Sequence, residues 1–321
     1  MLIFCLLTSA LGQDNTCPKY SCKPKSMKFS QDTCIYYADD QYYLNTCSSP
    51  LWYCLPNHSK LNSTCSTPPP DPKPSLAYPG EPCKKDSDCM YPQCTNKVCV
   101  GKRWLEPCKE NYECDVGLYC DDNDICWVQK GKDSRCKSDY DCQNNMGCNI
   151  FYLDDPGYCN EYYSLNSKQW VFNCQNYESN FCESGNCGGP GGKGVCIDGI
   201  KPRYLDPKCN QDEDCPGESF GWQFFSTCEC GYNGDGQKYC KAFLGDYLGK
   251  LYLDSIKAWY GSAEIKKCHT DRRMSEECMG NWEGYKDYLE KLYRWKNYPQ
   301  LIGNDKCVKQ IFTGYYWDLQ G

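Results

Sequence analysis

The stretch CKENYECDVGLYCDDNDIC, residues 108–126, holds four cysteines and almost nothing between them that could form an apolar core. It opens with a cysteine, five residues and a second cysteine, with an acid just before the second. The same opening stands at 83–89 as CKKDSDC, at 136–142 as CKSDYDC and at 209–215 as CNQDEDC. Repetition at this period means tandem small units. Units this short cannot bury a core, so their bridges must define them. The acid beside the second cysteine has two readings, a metal ligand or a turn former. Asp and Asn cap tight turns with their own side chains, and the turn is the expected role.

The cysteines from 83 to 240 sort into five sets. Cys83, Cys89, Cys94 and Cys99 form the first, and Cys108, Cys114, Cys120 and Cys126 the second. Cys136, Cys142, Cys148 and Cys159 form the third, and Cys174, Cys182, Cys187 and Cys196 the looser fourth. The fifth runs through Cys209, Cys215, Cys228, Cys230 and Cys240, with insertions such as GESFGWQFFS. First-to-third and second-to-fourth pairing is expected, because interlaced bridges lock two short turns together. Four cysteines allow three connectivities, and spacing alone does not choose among them.

The pattern C-x2-D-x-D-C, with G-L-Y-C and a fourth cysteine in residues 108–126, resembles the cysteine-rich units of Dickkopf N-terminal and EB-module type. Tyrosine- and asparagine-rich secreted proteins of ciliates carry similar arrays. The resemblance covers about 80–240. It rests on cysteine spacing, so it implies a style of fold and brings no signalling activity with it.

The rest of the chain agrees with a disulfide scaffold. It has 321 residues, 31 cysteines and a mean hydropathy of −0.75. Cross-links therefore replace aliphatic core. Residues 1–12, MLIFCLLTSALG, read as a secretory signal peptide, although the usual basic start is missing. Removing it takes Cys5 and leaves an even number of cysteines, all expected to be oxidised in an extracellular or cell-surface setting. No later stretch approaches the apolar length that spans a bilayer.

Residues 13–65 form an N-terminal module with Cys17, Cys22, Cys34, Cys47, Cys54 and Cys65, which three bridges would close on itself. Its CIYYADDQYY segment is β-prone. Residues 66–82, STPPPDPKPSLAYPGEP, read as a semi-rigid proline linker. Two sequons precede it at Asn57 and Asn62, the expected glycosylation sites. Residues 83–240 are the five units, and 241–321 a helical module.

In that last module Leu244, Tyr247, Leu248, Leu251, Tyr252, Ile256 and Trp259 recur at helical spacing, as do Trp282, Tyr285, Leu289 and Leu292. Ser275 is the expected cap of the second helix. Cys268, Cys278 and Cys307 are three, so a partner from the fifth unit is expected, and Cys230 is the choice. The fold class is small disulfide-rich: a tandem array of short β-hairpin and loop units with a small α-helical C-terminal module.

Chemistry is scarce. His58 and His269 are the only histidines, and no nucleophile, base and orienting acid can be assembled. No catalytic residue, metal ligand or cofactor is expected. Calcium is the one cation the paired acids raise, at Asp86/Asp88, Asp139/Asp141, Asp212/Asp214, DDND 121–124 and GYNGDG 231–236, and no twelve-residue loop motif supports it. Net charge is −7, and residues 241–321 carry 13 Lys+Arg against 11 Asp+Glu, so no basic face invites nucleic acid.

What remains is 28 tyrosines and 9 tryptophans, beyond what thin cores hide. The expected function is an extracellular structural glycoprotein, a filament, coat or matrix subunit with head-to-tail contacts. Tyr36, Tyr37, Tyr42 and Tyr43 are the expected subunit contacts. The alternative is a secreted binding module for a receptor or glycan, a proteinase inhibitor included. An enzyme is not expected. Partners would be copies of itself or other extracellular proteins and glycans.

Overall fold

The computed structural model describes residues 17–24, 26–28, 33–45, 53–54, 62–66, 76–150, 156–171, 174–175, 177–188, 194–204, 206–231 and 234–296. The expected signal segment, Cys47, Asn57, His58, Cys307 and the C-terminal GYYWDLQ lie outside these residues.

Each C-x5-C opening folds into one 3-10 turn, at Asp86–Asp88, Asn111–Glu113, Asp139–Asp141 and Asp212–Asp214. Two side chains shape it. The first residue of the turn accepts the backbone N–H of the third cysteine: Asp86 from Cys94 (2.8 Å), Asn111 from Cys120 (2.9 Å), Asp139 from Cys148 (2.8 Å) and Asp212 from Cys228 (2.7 Å). The acid before the second cysteine accepts a backbone N–H from the turn's entry: Asp88 from Lys84, Glu113 from Lys109, Asp141 from Lys137 and Asp214 from Asn210. One group closes the turn and the other draws in the third cysteine. A hairpin then sets the third and fourth cysteines opposite each other, as in Cys94↔Cys99, Cys120↔Cys126, Cys148↔Cys159 and Cys228↔Cys240.

The bridges follow from that placement. They run Cys83–Cys94 and Cys89–Cys99, Cys108–Cys120 and Cys114–Cys126, Cys136–Cys148 and Cys142–Cys159. The fourth and fifth units add Cys174–Cys187, Cys182–Cys196, Cys209–Cys228 and Cys215–Cys240. This is the first-to-third and second-to-fourth interlacing. The bridged residues are 10 to 25 positions apart. Loops of that size gain about 3 kcal/mol each in the chain-entropy description.

The units begin earlier than the first cysteine. Ala77, Lys102, Lys130 and Leu165 each lie parallel to the second cysteine of their unit, Cys89, Cys114, Cys142 and Cys182. Residues 77–82, read above as linker, therefore belong to the first unit. Pro79 is fully buried, and Glu81 and Gly80 exchange backbone hydrogen bonds with Cys99.

The N-terminal module is a five-stranded sheet in the order Tyr20–Cys22, Gln41–Leu44, Thr33–Ala38, Ser63–Ser66, Tyr53–Cys54. Asp39 and Asp40, both at positive φ, turn its central hairpin. The module does not close on itself. Cys17 bridges to Cys230 across 213 residues, and Gly236 lies against Lys19 and the Cys17 carbonyl. The expected link from Cys230 to the helical module is thus replaced by one to the N-terminus. Cys268 pairs with its neighbour Cys278.

Among the described residues three α-helices follow: α1 at Tyr247–Tyr260, α2 at Glu276–Met279 and α3 at Tyr285–Lys296. Asp246 caps α1 by accepting from the Gly249 N–H. Ser275 caps the short α2 and not the longer helix, since the chain breaks at Gly280 before α3 begins. The apolar faces of α1 and α3 do not make a separate domain. Leu253, Ile256, Trp259 and Tyr260 share one core with Tyr162, Val171 and Phe181 and with the bridged Cys182, Cys187 and Cys196 of the array. The helices supply the core that the fourth unit lacks.

Candidate functional site

The polar segment between α1 and α2 touches the first three units, and its contacts are mostly hydrogen bonds. Asn144 of the third unit donates to the carbonyls of Ile265 and Cys268 and accepts from the Thr270 hydroxyl (2.9 Å). Gln129 donates to the same hydroxyl (2.7 Å). Tyr140 donates to Asp271 (2.6 Å), and this bond to a carboxylate pushes its phenol up to about 12. Toward the first unit, Arg272 of the segment lies over the Tyr78 ring and 3.8 Å from Glu81. Gly80, at a φ of 93°, brings the first unit so close that an added Cβ would sit 2.5 Å from the Lys267 carbonyl oxygen. No periodicity announces such a segment, which is why sequence reasoning passed over it.

His269 joins the second unit to this hub. It is 2 % exposed, and Nε2 lies 3.1 Å from the Asn111 carbonyl while Nδ1 accepts the Asp271 N–H. That arrangement needs a neutral ring with its proton on Nε2. Burial holds the imidazole below its usual value, against the opposing pull of the Asn111 carbonyl and Asp271. The folded state therefore binds fewer protons than the unfolded chain as pH falls below about 6.5, so stability must fall with it. Thermal unfolding between pH 6.5 and 5 will show a steeper loss for the wild type than for His269→Asn. Equal slopes would place the proton elsewhere.

Arg273 is the second anchor. Its guanidinium donates to Asp139 (3.1 Å), to the Tyr162 hydroxyl and to the Met146 carbonyl (3.4 Å), and stacks on the Tyr162 ring at 4.9 Å. Burial pushes the Tyr162 phenol far up, so it stays a neutral donor, to Asp139.

Above this cluster opens a cleft of about 680 Å³. The third unit contributes Asp139, Asn149 and Tyr162, the fourth Gln175, Glu178, Asn180 and Phe181, and the helical module Tyr260, Arg273 and Met274. Glu178 is exposed by area, yet the walls around it raise its carboxyl above the usual range, with Lys241 and Lys296 opposing.

The residues singled out in the sequence mostly play structural parts. The paired acids spend oxygens on backbone N–H groups, as given above. Asp121 accepts from Asn123 and Ile125, and Asp235 from Gln237 and the Tyr239 hydroxyl. Both are side-chain turns and not converging ligand sets. Among the described residues four clusters of three sulfurs lie within 4.8 Å, but every member is already oxidised in a bridge, leaving those clusters no thiolate for a metal. Cys228 and Cys230, two apart, bond to Cys209 and Cys17, so they are not a redox pair.

The tyrosine contacts are corrected in part. Tyr43 is buried, and Tyr42 packs on the module's core and stacks on Tyr20 at 5.2 Å. Tyr36 and Tyr37 are half-buried, and Tyr37 donates to Asp40. The exposed apolar surface lies elsewhere. Trp104 (55 % exposed) and Trp127 (42 %) meet at 5.8 Å beside exposed Leu105 and Val128. On the fourth unit Trp170 (62 %) stands opposite Val195, and Val195 opposite Gly188. Trp222 lies over Gly188, reached by the hairpin Pro216–Ser219/Trp222–Phe225 that turns at exposed Phe220.

No protein-family model, no curated protein and no solved structure matches the chain.

Proposed function

We propose that the chain is a secreted structural glycoprotein whose copies assemble head to tail. The observation that carries this reading is the pair of unlike exposed aromatic surfaces, Trp104–Trp127 with Leu105 and Val128, and Trp170 and Trp222 with Phe220 around the half-buried Val195. Exposed aromatic clusters mark contact sites. Two different patches on different units favour a heterologous contact, which propagates unless its rotation closes a ring. Leu105 and Phe220 sit at φ of 69° and 52°, a costly conformation for bulky residues. That cost is tolerated at turn tips that present these side chains to solvent.

Other features support an extracellular setting. The units are held by bridges that persist in oxidising compartments. Among the described residues no helix is long and apolar enough to cross a membrane. Asn62 is exposed, and its Oδ1 accepts the Tyr37 N–H, leaving the amide nitrogen that takes a glycan outside that bond.

The test is sedimentation of the mature protein over a concentration series, with negative-stain imaging of the concentrated sample. Concentration-dependent assembly is expected, and Trp104→Ser with Trp127→Ser should reduce it to monomer. A wild type that stays monomeric at high concentration would overturn the proposal.

A second reading, a secreted binding module, is favoured by one observation, the cleft between the third unit, the fourth unit and the helices.

A further inference from the structure

The groups around that cleft are unevenly satisfied. Asp139 and Arg273 are paired at 3.1 Å, and each has further partners. Asp139 accepts from Cys148 N–H and the Tyr162 hydroxyl, and Arg273 also donates to the Met146 carbonyl. Neither offers free charge to a ligand. Glu178 differs: among the described residues its carboxylate takes no hydrogen bond and forms no ion pair. Lys241 and Lys296 act on it only at a distance, and Lys241 is itself paired with Glu229.

A second group is unfilled. Asn149 lines the cleft and is 1 % exposed. Its Nδ2 donates to Asn160 Oδ1 (3.1 Å) and the Trp170 carbonyl (3.4 Å). Both partners are acceptors, so the amide orientation is set, and Oδ1 is left buried without a donor. Such orphans are rare in folded proteins and call for a partner.

The walls are aromatic. Tyr162 stacks on Phe181 at 5.5 Å and meets Tyr260 at 4.6 Å. Ring faces are electron-rich and attract cations. One face of Tyr162 already carries the Arg273 guanidinium, so the unfilled carboxylate and the unfilled amide oxygen ask for a charged donor, and the aromatic walls for the apolar body behind it. The volume, about 680 Å³, suits a small molecule.

We propose that this cleft binds a small organic ammonium ion, its charged nitrogen on Glu178 and its apolar part against Tyr162, Phe181 and Tyr260. The side chains that line the cleft are not those of the aromatic surfaces invoked for assembly, although Asn149 bonds the Trp170 carbonyl, and all of them come from one chain.

Calorimetric titration of the full, disulfide-intact protein with benzylamine at neutral pH tests it. Saturable one-to-one binding is expected, weakened at least tenfold by Glu178→Gln and absent for benzyl alcohol. Because Glu178 is exposed by area, its substitution leaves the fold intact, which circular dichroism checks. Asp287→Asn, at an exposed acid of α3 away from the cleft lining, should leave binding unchanged. Benzylamine that fails to saturate would overturn the proposal. So would equal binding by the Glu178 variant, equal binding of the alcohol, or an equal loss in the Asp287 variant.

Discussion

Trp259→Ala will destabilise the protein by about 3–5 kcal/mol, the range for emptying a buried tryptophan site. Trp259 is 0 % exposed and lies in the core shared by α1, the fourth unit and Trp282, whose ring it meets at 5.4 Å. Its indole N–H donates to the Arg273 carbonyl at 3.0 Å, so alanine leaves both a void and a carbonyl without its donor. Trp259→Phe keeps most of the packing and loses that bond, for a smaller cost of roughly 1–3 kcal/mol. Denaturant unfolding under non-reducing conditions measures both. The loss should reach the array as well as the helices, because Phe181 and Cys182 belong to the same core. Faster proteolysis within the fourth unit of the alanine variant is the expected sign. Unfolding confined to residues 247–296 would mean two independent cores.

Arg273→Ala will cost about 3 kcal/mol, since it removes a mostly buried guanidinium and strands its partners. Asp139, the Tyr162 hydroxyl and the Met146 carbonyl all lose a donor. The side chain of Arg273 is 12 % exposed and that of Asp139 46 %, so water recovers part of the loss at the aspartate. Arg273→Lys should restore less than half. An ammonium keeps the charge but cannot reproduce a planar fork that bonds three acceptors and stacks on Tyr162. Asp139 also holds the Cys148 N–H, so refolding from the reduced state should show more mispaired third-unit bridges in Asp139→Ala than in Arg273→Ala. Unchanged denaturation midpoints in both Arg273 variants would remove it from the anchoring role.

The local parts of this fold were legible and the long-range parts were not. C-x5-C with an acid before the second cysteine carries its own turn chemistry. The acid bonds to backbone four positions away and the first turn residue to backbone 8 to 16 positions away, inside the same unit, so spacing implies geometry. The β-prone CIYYADDQYY segment marked the Thr33–Ala38 and Gln41–Leu44 hairpin, and apolar residues at helical spacing marked α1 and α3, for the same reason. The Cys17–Cys230 bridge has no local signature, and counting cysteines in the helical module pointed to a different partner for Cys230. The hub at 264–273 was equally hidden. Its residues, EIKKCHTDRR, look like a solvated loop, and only the array packed around them makes His269, Thr270 and Arg273 interior. The cleft is assembled from separate stretches, and Asp139, singled out only as one of the paired acids, gave no sign of it. The tyrosine-rich hairpin drew attention by composition, whereas the exposed surface belongs to tryptophans scattered one or two to a unit.

At the centre lies the claim that the acids and cysteines hold the chain together, as interlaced pairs within units and with the N-terminal module tied to the fifth unit. Peptide mapping of the mature protein without reduction tests it most directly. Expected are the ten interlaced pairs from Cys83–Cys94 to Cys215–Cys240, together with Cys268–Cys278 and a peptide joining Cys17 to Cys230. Cys230 linked to Cys268, Cys278 or Cys307, or first-to-second pairing inside the units, would contradict it.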